Sequence, residues 1–152
     1  MEIILSLGSN LGNREENLAQ ALQKLTEICH ITKESTVLET EPWGKVDQAS
    51  FLNQVIVADT DLTPKLLIKK ILEIERVLGR VRGEKWGPRI IDIDILYYDD
   101  LIINQEEIKI PHPLLQERIF VLEPLKEIYA AKIDPRFNLS VEDLYNKLTG
   151  CP

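Results

Sequence analysis

Apolar positions along this chain recur with two periods, and the alternation of the two outlines the elements. Residues 2 to 7, EIILSL, are an apolar run that predicts a first strand ending at Gly8 to Asn10. Leu18, Ala21, Leu22, Leu25 and Ile28 then return at helical spacing. Asn13, with Glu16 three residues on, supplies an N-cap, so the pattern predicts a helix over 14 to 28. ITKESTVLET is β-branched and roughly alternating, which predicts a second strand; Pro42 and Gly44 break the pattern into a loop of about ten residues. FLNQVIVADT predicts a third strand. Thr63 followed by Pro64 opens a second helix, which Leu67, Ile71, Ile74 and Leu78 line on one side and Gly79 stops.

The stretch GRVRGEKWGPR, with three glycines and a proline, predicts a second long loop, and a strand follows from about 90 to 98. Asp99 and Asp100 turn the chain, and EEIKIPHP predicts a short strand ended by prolines. LLQERIFVLEPLKEIY is helical at its ends, with Pro124 expected to interrupt it, and Ser140 caps a last short helix. The order β-α-β-β-α-β predicts an α+β, ferredoxin-like sandwich: a mainly antiparallel sheet with helices packed on one face, and flexible active-site loops.

The strand from 90 to 98 poses the sharpest chemical question. Strand side chains alternate faces, so Ile91, Ile93 and Ile95 point one way and Asp92 and Asp94 the other. Two carboxylates about 7 Å apart on one face repel, and aspartate is a poor strand former. That face is either simply wet or carries something positive. Just upstream, Arg80, Arg82, Lys85 and Arg89 stand against a single Glu84, in a chain whose formal net charge is −7. Arginines suit phosphate oxygens, and one or two carboxylates plus phosphates suffice to hold magnesium. The juxtaposition points to a metal–nucleotide triphosphate; a solvated loop beside a polar strand face is the alternative.

The remaining candidates are weaker alone. GSNLGN fits neither common glycine-rich nucleotide motif, and Gly8 and Gly12 read as a tight turn before a helix. His112 sits between two prolines, with Arg118 and Phe120 downstream, and reads as a ligand or as an exposed loop residue. Phe51 and Asn53 share a strand face and read as a stacking and edge-bonding pair, or as a core Phe beside an edge Asn.

Composition adds exclusions. A length of 152 residues, 44% of them hydrophobic, fits one domain, with no internal linker or repeat in the sequence. The acidic balance argues against a nucleic-acid partner. Two isolated cysteines, Cys29 and Cys151, fit a reduced, cytoplasmic protein; MEIILSL reads as a strand and not a signal peptide, and no run has the length of a membrane span.

Taken together, LSLGSNLG, TEPWG with FLN, IERVLGRVR, WGPRIIDIDIL and IPHPLLQERIFVLEPL resemble the 6-hydroxymethyl-7,8-dihydropterin pyrophosphokinase family in order and spacing. GR-x-R followed by WGPR-x-x-D-x-D is the most specific part. The resemblance implies one pyrophosphokinase domain over 1–152. It implies transfer of pyrophosphate from ATP to the pterin hydroxymethyl group, release of AMP, and two Mg²⁺ ions held by Asp92 and Asp94. It implies ATP-facing or loop-closing roles for Arg80, Arg82, Trp86, Arg89, His112 and Arg118, with Arg80, Arg82 and Arg89 acting in catalysis. Thr40, Trp43, Phe51, Asn53 and Phe120 match the pterin pocket, where Phe51 and Phe120 would sandwich the ring. Glu75 lies in the matching helix without an assigned role. Gly83 and Glu84 stand where some members carry a lysine, leaving Lys85 as the nearby cation, and Phe51 stands where tyrosine also occurs. The implied partners are small molecules only, with no membrane, nucleic-acid or protein partner. The competing reading is a ferredoxin-like binding domain without chemistry, since that fold hosts many functions.

Overall fold

The computed structural model describes residues 1–40, 50–79 and 90–150. Strand β1 (Glu2–Ser9) leads to helix α1 (Arg14–Leu25), then to β2 (His30–Glu34), β3 (Leu38–Thr40) and β4 (Phe51–Asp59). Helix α2 (Pro64–Val77) and strand β5 (Asp92–Tyr98) follow. The rest comprises β6 (Ile103–Asn104), β7 (Lys109–Ile110), α3 (Ile119–Tyr129), β8 (Ile133–Asp134), β9 (Leu139–Ser140) and α4 (Val141–Thr149). The main sheet runs β2-β4-β1-β5, with β3 also on β4, and every pairing is antiparallel. This is the strand order of the split βαβ sandwich, as the alternating pattern predicts.

The local signals act where the sequence puts them. Asn13 Oδ1 accepts from the Glu16 N–H at 3.1 Å, Thr63 Oγ1 from Leu66 at 3.3 Å, and Ser140 Oγ from Asp143 at 3.1 Å. Helix α1 stops three residues earlier than its apolar spacing predicts. There the Thr26 hydroxyl donates to the Gln23 carbonyl, and the N–H groups of Glu27 and Ile28 bond three residues back. The predicted second strand is two strands, because Ser35 intervenes. Its buried hydroxyl accepts from Val55 N–H at 2.9 Å, replacing a backbone rung. Gly8 belongs to β1 and not to a turn; Gly12, at φ 72°, makes the turn.

Two further corrections concern the helices. Pro124 does not interrupt α3, which runs through it with Val121, Leu122 and Leu125 buried. Proline inside a helix costs about 3 kcal/mol, and each fully buried large apolar side chain returns about 1.5–3 kcal/mol, so packing wins. The expectation of helices on one sheet face also fails. Ile3, Leu5, Leu7, Ile56, Ile93 and Ile95 pack with the apolar stripes of α1 and α2 in one core. Ile4, Val55, Val57, Leu96 and Tyr97 form a second core with α3 and α4. The strict alternation of β5 ends at a bulge: Leu5 pairs with Ile95 and Ile4 with Tyr97, so Leu96 is the extra residue.

Candidate active site

The second core covers only part of its sheet face, and Thr40, Phe51, Asn53, Asp92 and Asp94 lie on the rest. Cross-strand register aligns them. Leu38 pairs with Asn53, Asn53 with Gly8, and Gly8 with Asp92, while Thr40 pairs with Phe51 and Ser6 with Asp94. Neighbouring strands are about 4.8 Å apart, so Asn53 and Asp92 flank Gly8 roughly 10 Å apart at the backbone. A Cβ added to Gly8 would lie 3.2 Å from Asn53 Oδ1 and 3.5 Å from Phe51 Cδ1. Gly8 therefore leaves a trough between the amide and the carboxylates that any side chain would narrow.

On one side of the trough, Asn53 Nδ2 donates to Thr40 Oγ1 at 2.6 Å, which fixes the rotation of the amide. Phe51 is half-buried on the same strand. Phe120 is half-buried in the first turn of α3, a helix that packs on β4. On the other side, Asp92 and Asp94 are half-buried and both act electrostatically on Arg118, which precedes α3. Burial lowers the Arg118 guanidinium pKa, while Asp94, Asp92 and Glu117 oppose that shift. A cation therefore faces the aspartates. The isoleucine face of the strand is buried, and its backbone is held from behind: the buried Glu75 of α2 accepts the Ile93 N–H at 2.8 Å.

His112 stands next to this charge. Burial, then the positive charges of Arg118 and Arg136, hold its imidazole down to about 4, so it is neutral at neutral pH. Its Nδ1 accepts from the Leu114 N–H at 3.1 Å, which puts the ring proton on Nε2. The loop is anchored on both sides: the His112 N–H bonds Leu96 O at 3.1 Å, and Arg136 Nη1 donates to His112 O at 3.3 Å. Arg136 in turn holds the fully buried Asp134 at 2.8 Å, and Asp134 accepts from the Tyr97 hydroxyl at 2.6 Å. Burial would raise the Asp134 carboxyl, but the Arg136 and Tyr97 bonds outweigh it and hold it low.

The structure thus brings Thr40 to Asn53, Asp92 and Asp94 to Arg118, and Arg118 to His112. Trp43, Arg80, Arg82, Trp86 and Arg89 lie outside the described residues. The residues alone did not reveal Gly8 as a floor, Glu75 as a brace, or Arg136 as an anchor. Only Glu75 gave a signal, a charge one position after Ile74 on the apolar stripe of α2. Among the described residues no group of three or more His, Cys, Asp or Glu side chains could hold a metal. Magnesium needs no such group when phosphates complete its shell.

An α+β sandwich with a carboxylate pair and cations at one end of its sheet suits phosphate-bearing ligands, and the comparisons narrow the class. Residues 4–130 match the family described as 7,8-dihydro-6-hydroxymethylpterin-pyrophosphokinase (HPPK), and the chain belongs to that family. It is 43% identical over 141 residues to the 2-amino-4-hydroxy-6-hydroxymethyldihydropteridine pyrophosphokinase of Aquifex aeolicus, covering 93% of this chain and 88% of that protein. The protein of the same name from Bacillus subtilis is 44% identical over 126 residues, covering 82% of this chain and 75% of its own length. The solved structure of wild-type Plasmodium falciparum HPPK-DHPS is similar in fold, with TM-score 0.79 at 18% identity over 98% of this chain. This chain spans 45% of that larger one.

Proposed function

We propose that the protein transfers pyrophosphate from ATP to the hydroxymethyl group of 6-hydroxymethyl-7,8-dihydropterin, releasing AMP, in folate biosynthesis. Family membership supports the reaction. The observation that carries the assignment of residues is the row Asn53–Gly8–Asp92, with a neutral, polar edge reader on one side of a side-chain-free floor and carboxylates on the other. Residues 1–152 act in this reading as one pyrophosphokinase domain.

The pterin lies over Gly8, with Asn53 bonding its rim and Phe51 and Phe120 stacking on its faces. Thr40 orients the amide, and Trp43 is assigned to the same pocket by the family resemblance. Stacking alone does not separate a pterin from a purine; an unpaired buried edge group does. ATP lies on the carboxylate side. Arg118 and the neutral Nε2–H of His112 contact the nucleotide, as do Arg80, Arg82 and Arg89, with Trp86 against it. The three loop arginines neutralise charge that builds on the transferring group. Asp92 and Asp94 would hold the two Mg²⁺ ions of this reading: both are half-buried on one strand face, beside Arg118. When bound, these ions would neutralise phosphate charge and acidify the pterin hydroxyl. The acidic balance argues against a nucleic-acid partner and leaves ATP and the pterin as the partners of this reading, and the sparse cysteines support a cytoplasmic setting.

One assay separates this reaction from an ordinary kinase and from a binding domain. Protein, ATP, Mg²⁺ and the hydroxymethyl dihydropterin should yield AMP in step with pyrophosphorylated pterin. Formation of ADP, or no turnover, would refute the proposal.

A further inference from the structure

The pterin side of the trough depends on a short edge. Strand β3 has three residues, and its last rung, Thr40 to Phe51, borders the segment 41–49. Terminal rungs next to a long connection are the first to open, because closing the connection costs entropy and little pairing offsets it. Yet Thr40 must stay within bonding distance of Asn53.

Arg14 lies beneath this rung, at the first position of α1, behind the Asn13 cap. Its Nη1 donates to Glu39 Oε2 at 2.8 Å and to Ser50 O at 2.8 Å. One guanidinium nitrogen thus binds the residue immediately before Thr40 and the residue immediately before Phe51. Glu39 pairs with Leu52, whose side chain joins the α1 side core, so the clamp works from the face opposite the trough. It is tied to the first turn of a capped helix. The Glu39 side chain is 58% exposed, and an exposed ion pair adds little global stability. The effect of this clamp is therefore local.

We propose that Arg14 is a positioning residue for the pterin pocket: by tying Glu39 to Ser50 it holds Thr40 against Asn53 and so fixes which face of the amide meets the ring. The inference rests on the pterin reading of Asn53 given above. Arg14 touches no substrate. It acts through the Thr40–Asn53 bond, which turns Oδ1 toward the Gly8 floor.

The test is a double-mutant cycle on the full chain, titrated with 6-hydroxymethylpterin and with a non-hydrolysable ATP analogue plus Mg²⁺. Arg14→Met keeps the apolar stem and removes the donors. It should weaken pterin binding about fivefold and leave ATP-analogue affinity within about twofold. Its thermal midpoint should stay within about 2 °C of the parent. In the Asn53→Ala background, Arg14→Met should add almost nothing, since the bond it protects is gone. Unchanged pterin affinity in Arg14→Met, equal losses for both ligands, or fully additive losses in the double variant would overturn the inference. Unchanged pterin affinity in Asn53→Ala would instead overturn the pocket reading, and the inference with it.

Discussion

His112 gives the fold a pH signature below neutrality. Its pKa is lowered from the ordinary 6.5 to about 4, so between those values the unfolded chain binds a proton that the folded chain refuses. Stability rises with pH wherever the unfolded state holds more protons. The His112 contribution is therefore complete above about pH 6.5 and is lost as pH falls toward 4. Urea midpoints across that window should show a slope that His112→Gln reduces. Asp92 and Asp94 are half-buried and act on Arg118. Their mutual repulsion suggests that removing either would stabilise the fold slightly. The attraction each exerts on Arg118 offsets that gain, so Asp92→Ala or Asp94→Ala should change stability by less than about 1 kcal/mol. Turnover should fall by about a hundredfold or more if each helps neutralise phosphate charge. Calorimetry beside AMP formation checks both halves; a stable variant with near-normal turnover would remove that aspartate from the site.

At the scale of elements, the site is a strand held from behind. The buried Glu75 accepts the Ile93 N–H, and Ile93 stands between the two aspartates. Glu75→Leu would leave that N–H without its acceptor, at about 1–3 kcal/mol, and would loosen the geometry of the carboxylates. Glu75→Gln keeps a carbonyl oxygen at the same reach and should retain more stability than Glu75→Leu. The comparison is made by denaturant unfolding with kcat measured in parallel. Equal stability for the two variants would mean that shape, and not the acceptor, is what the site requires. Helix α3 offers a second lesson, since burial of one apolar side holds it helical through Pro124.

For the whole molecule, the decisive feature is the second core and the C-terminal hairpin that closes it. Strands β8 and β9 flank Arg136, which lies beyond the residues matched to the family, yet Arg136 reaches Asp134, Gln116 and the His112 carbonyl. Arg136→Met leaves a fully buried Asp134 carboxylate with less compensation, and such losses cost about 3–5 kcal/mol. Adding Asp134→Asn removes the stranded charge and should recover part of the loss. Chemical denaturation of both variants measures this. No recovery would show that the hairpin is held by packing and not by the ion pair.

The sequence by itself determined what depends on near neighbours. Apolar periods set the order of the elements, three capping residues set helix starts, and alternation separated Ile93 from Asp92 and Asp94. The spacing of WGPRIIDIDIL carried the family, and the residues assigned by resemblance include the two clusters that flank Gly8. Tertiary structure decided the rest. Whether the aspartate face is open, covered or charged depends on α3 and α4, which lie more than twenty residues downstream of β5. The Leu96 bulge arises from pairing with β1, and Gly8 becomes a floor only when β4 and β5 flank it. Arg14 reaches Ser50, Glu75 reaches Ile93 and Arg136 reaches the His112 carbonyl, 18 to 36 positions away. Local propensity acts over one turn or one pleat, whereas these partners meet only after burial of the two cores has chosen the register.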